Sequence, residues 1–82
     1  MSQTEIQTTT ELDARGLLCP MPIVKTAKAM KELAPGEVLK LLSTDRGSVT
    51  DVPAWTDTTG NELVEQHEED GVFVFLIRKT AD

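Results

Sequence analysis

Two prolines separated by one residue, Pro20 and Pro22, limit where a helix can begin in this chain more than any other feature of its 82 residues. Proline lacks a backbone N–H and is tolerated in a helix only in the first turn, where the first four amide hydrogens have no intrahelical partner. The periodic apolar segment from Pro20 to about Leu33 must therefore start at these prolines, which makes Arg15-Gly16-Leu17-Leu18-Cys19-Pro20-Met21-Pro22 a helix entrance. With Pro20 at the first helical position, Cys19 falls at the N-cap. Amide hydrogens and the positive end of the helix dipole point at that position, and a thiolate gains more from them than a thiol does. The Cys19 pKa is expected to fall, with Arg15 as a second nearby cation. Free cysteines are among the most buried residues, but Gly16 and the prolines set this one at a strand-to-helix corner, where a rigid scaffold commonly carries chemistry.

The remainder reads as one small domain. From Thr9 to Asp13 the alternation predicts a short strand with Leu12 facing inward. The helix places Ile23, Ala27, Met30, Leu33 and Ala34 on one arc and Lys25, Lys28 and Lys31 on another. Pro35-Gly36 ends it. The nearly continuous apolar run from Glu37 to Ser43 then reads as a buried strand, closing a right-handed strand-helix-strand crossover. Ser48 and Asp51 have the spacing of a capping box, and Pro53 predicts a short or bent second helix to about Asp57, with Trp55 packed over the sheet. A third strand is expected over Glu62 to Glu68 with Leu63 and Val64. Glu69-Asp70-Gly71 is a hairpin signal, and Val72 to Arg78 should be the central strand. The order β-α-β-α-β-β gives an α+β fold, a two-layer α/β sandwich with two helices on a mixed four-stranded sheet.

Size and charge narrow the function. An 82-residue chain has no room for a separate cofactor lobe, and no cofactor is expected. One cysteine cannot form an internal disulfide, and one Cys with one His falls short of a zinc site, so no metal is expected either. The formal charge is −6, with nine acidic and three basic residues in the second half, which argues against direct nucleic-acid binding. No signal peptide or membrane-length apolar run is present in the sequence, so a cytoplasmic protein with a reduced thiol and no membrane insertion is expected. His67, set among acids, reads as an exposed surface group.

Leu12-Asp13-Ala14-Arg15-Gly16-Leu17, Cys19-Pro20 and Pro22 together resemble the signature of the TusA/SirA family of small sulfur-carrier proteins, marked by Cys-Pro-x-Pro at the start of the first helix. Pro35-Gly36-Glu37, Asp51-Val52-Pro53-Ala54-Trp55 and Leu76-Ile77-Arg78-Lys79 extend the resemblance from Leu12 to Lys79. The family fold it implies is the same two-layer sandwich. The expected organisation is a flexible N-terminus over residues 1–8 and a carrier domain over 9–80, acting as a monomer. Two positions depart from the common pattern: Met21 stands where many relatives have Glu, and Thr56 where many have a second Cys.

The resemblance implies a sulfurtransferase of the relay type, not a stand-alone catalyst. Cys19 would accept sulfane sulfur as a persulfide, with Asp13, Arg15, Gly16, Pro20 and Pro22 as supporting residues. The donor would be a cysteine desulfurase or a rhodanese-like protein, and the acceptor a protein of tRNA thiolation, cofactor assembly or sulfur oxidation. Sulfur transfer brings two sulfurs into contact, so whatever surrounds Cys19 must be the docking surface. That points to Leu18, Met21, Lys25 and Lys28. A thiol-based redox regulator or an interaction module with an inert cysteine stays open as an alternative.

Overall fold

The computed structural model describes residues 8–18 and 20–80. Residues 1–7, which make up all but Thr8 of the expected flexible N-terminus, lie outside this set, as does Cys19. The elements are β1 (Thr10–Ala14), α1 (Met21–Lys31), β2 (Val38–Ser43), α2 (Ser48–Thr59), β3 (Glu62–Glu69) and β4 (Val72–Arg78). This is the expected β-α-β-α-β-β order.

The sheet runs β1-β2-β4-β3, with β1 and β2 parallel and the other pairs antiparallel. β4 is therefore interior, as its unbroken Val72-Phe73-Val74-Phe75-Leu76-Ile77 run requires. Its alternate residues Phe73, Phe75 and Ile77 join Leu39 and Leu41 of β2, Ala14 of β1, Met30 of α1, Leu33 just after it, and Val52 of α2 in one core. Phe75, Leu39, Leu41 and Ile77 are completely buried. Burying each such side chain contributes roughly 1.5–3 kcal/mol.

The face of α1 that meets this core differs from the expected arc. Pro22, Thr26 and Met30 are buried, whereas Ile23 and Ala27 are half-buried and Ala34, beyond the helix, is exposed. A hydroxyl can sit at the centre of the buried face because Thr26 Oγ1 donates to the Pro22 carbonyl at 2.6 Å. Sequence periodicity counts Thr26 as polar and so turns the arc by about one residue.

α2 runs to Thr59, beyond the expected stop near Asp57, with Pro53 inside it. Proline at 53 leaves the Val49 carbonyl without its helical donor. The Gln66 side chain of β3 reaches that carbonyl at 3.5 Å, so the sheet covers part of the loss. The capping box does not form. Gly47 is the N-cap, and the Ser48 hydroxyl is buried 2.8 Å from the Ser43 hydroxyl instead. Trp55 packs against the core as expected.

The β3–β4 hairpin turns through Asp70 and Gly71, both with positive φ (50° and 82°), the type I′ geometry that suits the twist of the strands. β3 slips register between Leu63 and Glu65, and this bulge lets Leu63 and Val64 both be half-buried although they are adjacent.

Candidate functional site

The entrance to α1 is built from the β1–α1 loop. After Ala14 the chain turns at Gly16, whose φ of 84° suits glycine, and Leu17 N–H closes the turn on the Ala14 carbonyl at 3.2 Å. The Leu18 carbonyl accepts from Met21 N–H at 2.9 Å and leads into the helix. Pro20 is the N-cap, and Pro22 sits in the first turn with its ring fully buried. This corrects the expected assignment: Cys19 stands one residue before the cap. The reason is that Pro20 has φ −97° and ψ 13°, outside the helical values that Met21 adopts first. Pro20 offers no side-chain hydrogen bond to the helix end.

Around this entrance the surface is apolar. Leu18 is 72% exposed, Met21 41% and Val24 43%, and these are the large apolar side chains most open to solvent among the described residues. Val24 was not legible as a surface residue, although its spacing of three from Met21 carries the signal. Met21, Val24, Lys25 and Lys28 follow the i, i+3, i+4, i+7 rule and share one exposed face. Lys25, Lys28 and Lys31 form no ion pair with another described residue. Of the four expected docking residues, Met21, Lys25 and Lys28 share this exposed face of α1, and Leu18 is exposed in the loop just before it.

Arg15 is committed elsewhere. Its Nε and Nη2 donate to the two carboxylate oxygens of Asp13 at 2.8 and 2.9 Å, and its backbone N–H donates to Asp13 Oδ1 at 3.0 Å. The guanidinium fork, and secondarily the amide, hold the Asp13 carboxyl down at about 2. The same pairing raises the Arg15 pKa. Asp13 and Arg15 therefore act as a clip on the strand end, and the charge of Arg15 is largely neutralised by its neighbour.

Sequence reasoning missed Thr44. Its hydroxyl accepts a 2.9 Å hydrogen bond from the Gly16 amide, joining the loop after β2 to the loop that leads to Cys19. Thr56 is buried and donates to the Pro53 carbonyl at 2.8 Å.

Other features lie away from the entrance. A groove of about 260 Å³ lined by Met30, Lys31, Trp55 and Lys79 borders the C-terminal half of α1. His67 is exposed on β3, its Nδ1 2.9 Å from Glu65 Oε2. Among the described residues no cluster of His, Cys, Asp or Glu could hold a metal ion, and no helix is long and apolar enough to cross a membrane.

Comparison with known proteins follows the same segment. The family described as sulfurtransferase TusA matches residues 10–79. The chain is 50% identical over 70 residues to the sulfur carrier protein TusA of Allochromatium vinosum, covering 85% of this chain and 92% of that one. It is 45% identical over 71 residues to the sulfur carrier protein TusA of Pseudomonas aeruginosa, covering 87% and 90%. The crystal structure of the SirA-like protein from Desulfitobacterium hafniense superposes with a TM-score of 0.79 at 28% identity, over 89% of this chain and all of that one.

Proposed function

The chain belongs to the TusA family of sulfur carriers, and from that membership we propose that Cys19 carries the sulfur as a persulfide and relays it between two partner proteins. The observation that supports this most is the setting of the only cysteine: Leu18 directly before it and Met21 two residues after it are apolar and exposed. Exposed apolar groups next to a reactive position mark binding.

Each step is a thiol exchange at sulfur. The Cys19 thiolate attacks the outer sulfur of a donor persulfide, forming Cys19-S-SH and releasing the donor cysteine as its thiolate. The acceptor thiolate then attacks the outer sulfur of Cys19, and Cys19 departs as a thiolate. One S–S bond forms and one breaks in each step, with no net oxidation. A donor of the cysteine desulfurase or rhodanese-like class supplies the persulfide, and a reducing compartment such as the cytoplasm keeps the carrier thiol free. Leu18, Met21, Val24, Lys25 and Lys28 form the docking surface, an apolar centre with a cationic rim suited to an acidic partner surface. The carrier domain spans residues 9–80 and acts as a monomer, and the supporting residues divide by role: Asp13 and Arg15 clip the strand end, Gly16 turns the loop, Pro20 and Pro22 start the helix.

A two-step label chase tests the relay. Protein loaded with radiolabelled sulfur from a small-molecule persulfide is desalted and mixed with a thiol protein as acceptor. Label moving to the acceptor with no free sulfide supports a carrier. Label that stays on the chain, or leaves only as sulfide on reduction, supports a redox regulator instead.

A further inference from the structure

We infer that Thr44 is a positioning residue for sulfur transfer, holding the Cys19 loop in one orientation through the hydrogen bond it accepts from the Gly16 amide. This rests on Cys19 being the sulfur-carrying residue.

Leu17 packs against the core, but by hydrogen bonds among the described residues the stretch from Arg15 to Leu18 is otherwise tied only to its immediate neighbours. Arg15 bonds to Asp13, Leu17 N–H to the Ala14 carbonyl, and the Leu18 carbonyl to Met21 N–H. Among the described residues, the Gly16–Thr44 bond is the one hydrogen bond from this stretch to a distant part of the chain, spanning 28 positions. Packing does not replace it at Gly16. A β-carbon placed there would meet no atom within 4 Å, so nothing wedges the hinge on that side. Leu18 is largely exposed.

Thr44 is itself on a firm base. The neighbouring Ser43 is fully buried, its hydroxyl 2.8 Å from that of Ser48 and 3.1 Å from the Asp45 amide that it accepts. Ser48 N–H bonds back to the Asp45 carbonyl at 3.0 Å, and the Arg46 guanidinium lies 6.0 Å over the Phe73 ring. The β2–α2 loop is thus pinned on both sides of Thr44, which holds the backbone that carries its exposed hydroxyl.

The functional consequence follows from what transfer demands. A small alkylating reagent reaches an exposed thiolate from many directions. A protein-bound persulfide must align its sulfurs within about 3–3.5 Å along one line of attack, so freedom in the Cys19 loop is a direct cost to that step alone. The hydroxyl therefore governs transfer between proteins and leaves the intrinsic reactivity of the thiol unchanged.

The experiment compares wild type, Thr44→Val and Thr44→Ser, because valine keeps the shape without the acceptor and serine keeps the acceptor. Single-turnover sulfur transfer is measured from a rhodanese loaded with thiosulfate sulfur, and iodoacetamide alkylation of Cys19 is followed across pH. Thr44→Val should slow transfer by about threefold to tenfold, the range set by losing one modest hydrogen bond. Its alkylation rate and pH midpoint should stay at the wild-type values, and Thr44→Ser should restore transfer. The inference is overturned if Thr44→Val transfers at the wild-type rate, if Thr44→Ser is as slow as Thr44→Val, or if alkylation and transfer fall together. A wild-type protein that takes no sulfur overturns the Cys19 reading itself and the role of Thr44 with it. Transfer by wild type that is indifferent to Thr44 removes the positioning role alone.

Discussion

The Lys79 ammonium donates a 2.8 Å hydrogen bond to the carbonyl of Leu33, just past the C-terminus of α1. It also donates to the Met30 carbonyl at 3.0 Å, while its backbone N–H and carbonyl bond to Glu37 and Gly36. The Met30 carbonyl also accepts the Leu33 N–H at 3.1 Å, so the ammonium adds a second, charged donor there and meets the negative end of the helix dipole. The residue after β4 thus fixes the far end of the helix whose near end begins at Pro20.

Lys79→Met should therefore destabilise the protein by about 1–2 kcal/mol, since methionine keeps the apolar stem but leaves the carbonyls without their charged donor. Urea unfolding of the full chain measures this. A loss below about 0.5 kcal/mol, the range of an ordinary surface substitution, would show that Lys79 caps nothing of consequence.

Asp13 makes a prediction about pH. Its carboxyl is held at about 2 against an ordinary 3.8, chiefly by the Arg15 side chain. A carboxyl depressed in the folded state stabilises the fold above its unfolded pKa and loses that contribution as pH falls through the folded value. The Asp13–Arg15 clip is therefore intact above about pH 4 and opens on acidification toward pH 2. NMR titration of the Asp13 carboxyl should give a midpoint near 2, moving up toward 3.8 in Arg15→Ala. A wild-type midpoint near 3.8 would contradict the pairing. Because Arg15 is spent on Asp13, Arg15→Ala should also shift the alkylation midpoint of Cys19 only slightly.

The fold was legible because its signals were local and agreed with one another. Pro20 and Pro22 mark a helix start, Asp70-Gly71 marks a two-residue turn, and the Val72–Arg78 run has the composition of an interior strand. What was not legible depends on which of several possible partners a polar side chain takes, some a few residues away and some distant. Nothing near Thr26 predicts that its hydroxyl would satisfy the Pro22 carbonyl inside the core, and the tolerance of Pro53 relies on Gln66 of β3. Ser48 was read as a cap because its spacing to Asp51 allows one, but Ser43 competes for the same hydroxyl from across the loop. At the site, the motif residues and the shared exposed face of Met21, Lys25 and Lys28 could be read from spacing. The Thr44–Gly16 bond, between residues 28 apart, needed the third dimension, and the local Asp13–Arg15 clip is missed by a reading that assigns Arg15 to Cys19 as its cation.

The docking face makes a prediction about salt. Lys25→Glu/Lys28→Glu should slow sulfur transfer from a loaded rhodanese by roughly tenfold at low ionic strength, with the difference shrinking as salt screens the rim charges. Met21→Glu and Val24→Glu remove apolar contact and should slow transfer at both salt concentrations. Glu65→Lys, on β3, should change little. If Glu65→Lys matters as much as the lysine pair, docking is not centred on α1.

The central claim concerns one atom, the sulfur of Cys19, and mass spectrometry tests it most directly. Wild type and Cys19→Ser are incubated with a persulfide donor, desalted and weighed before and after reduction. The account predicts one added sulfur on wild type, removed by a reductant, and none on Cys19→Ser. A Cys19→Ser protein that still gains covalent sulfur, or a wild type that gains none, would contradict it.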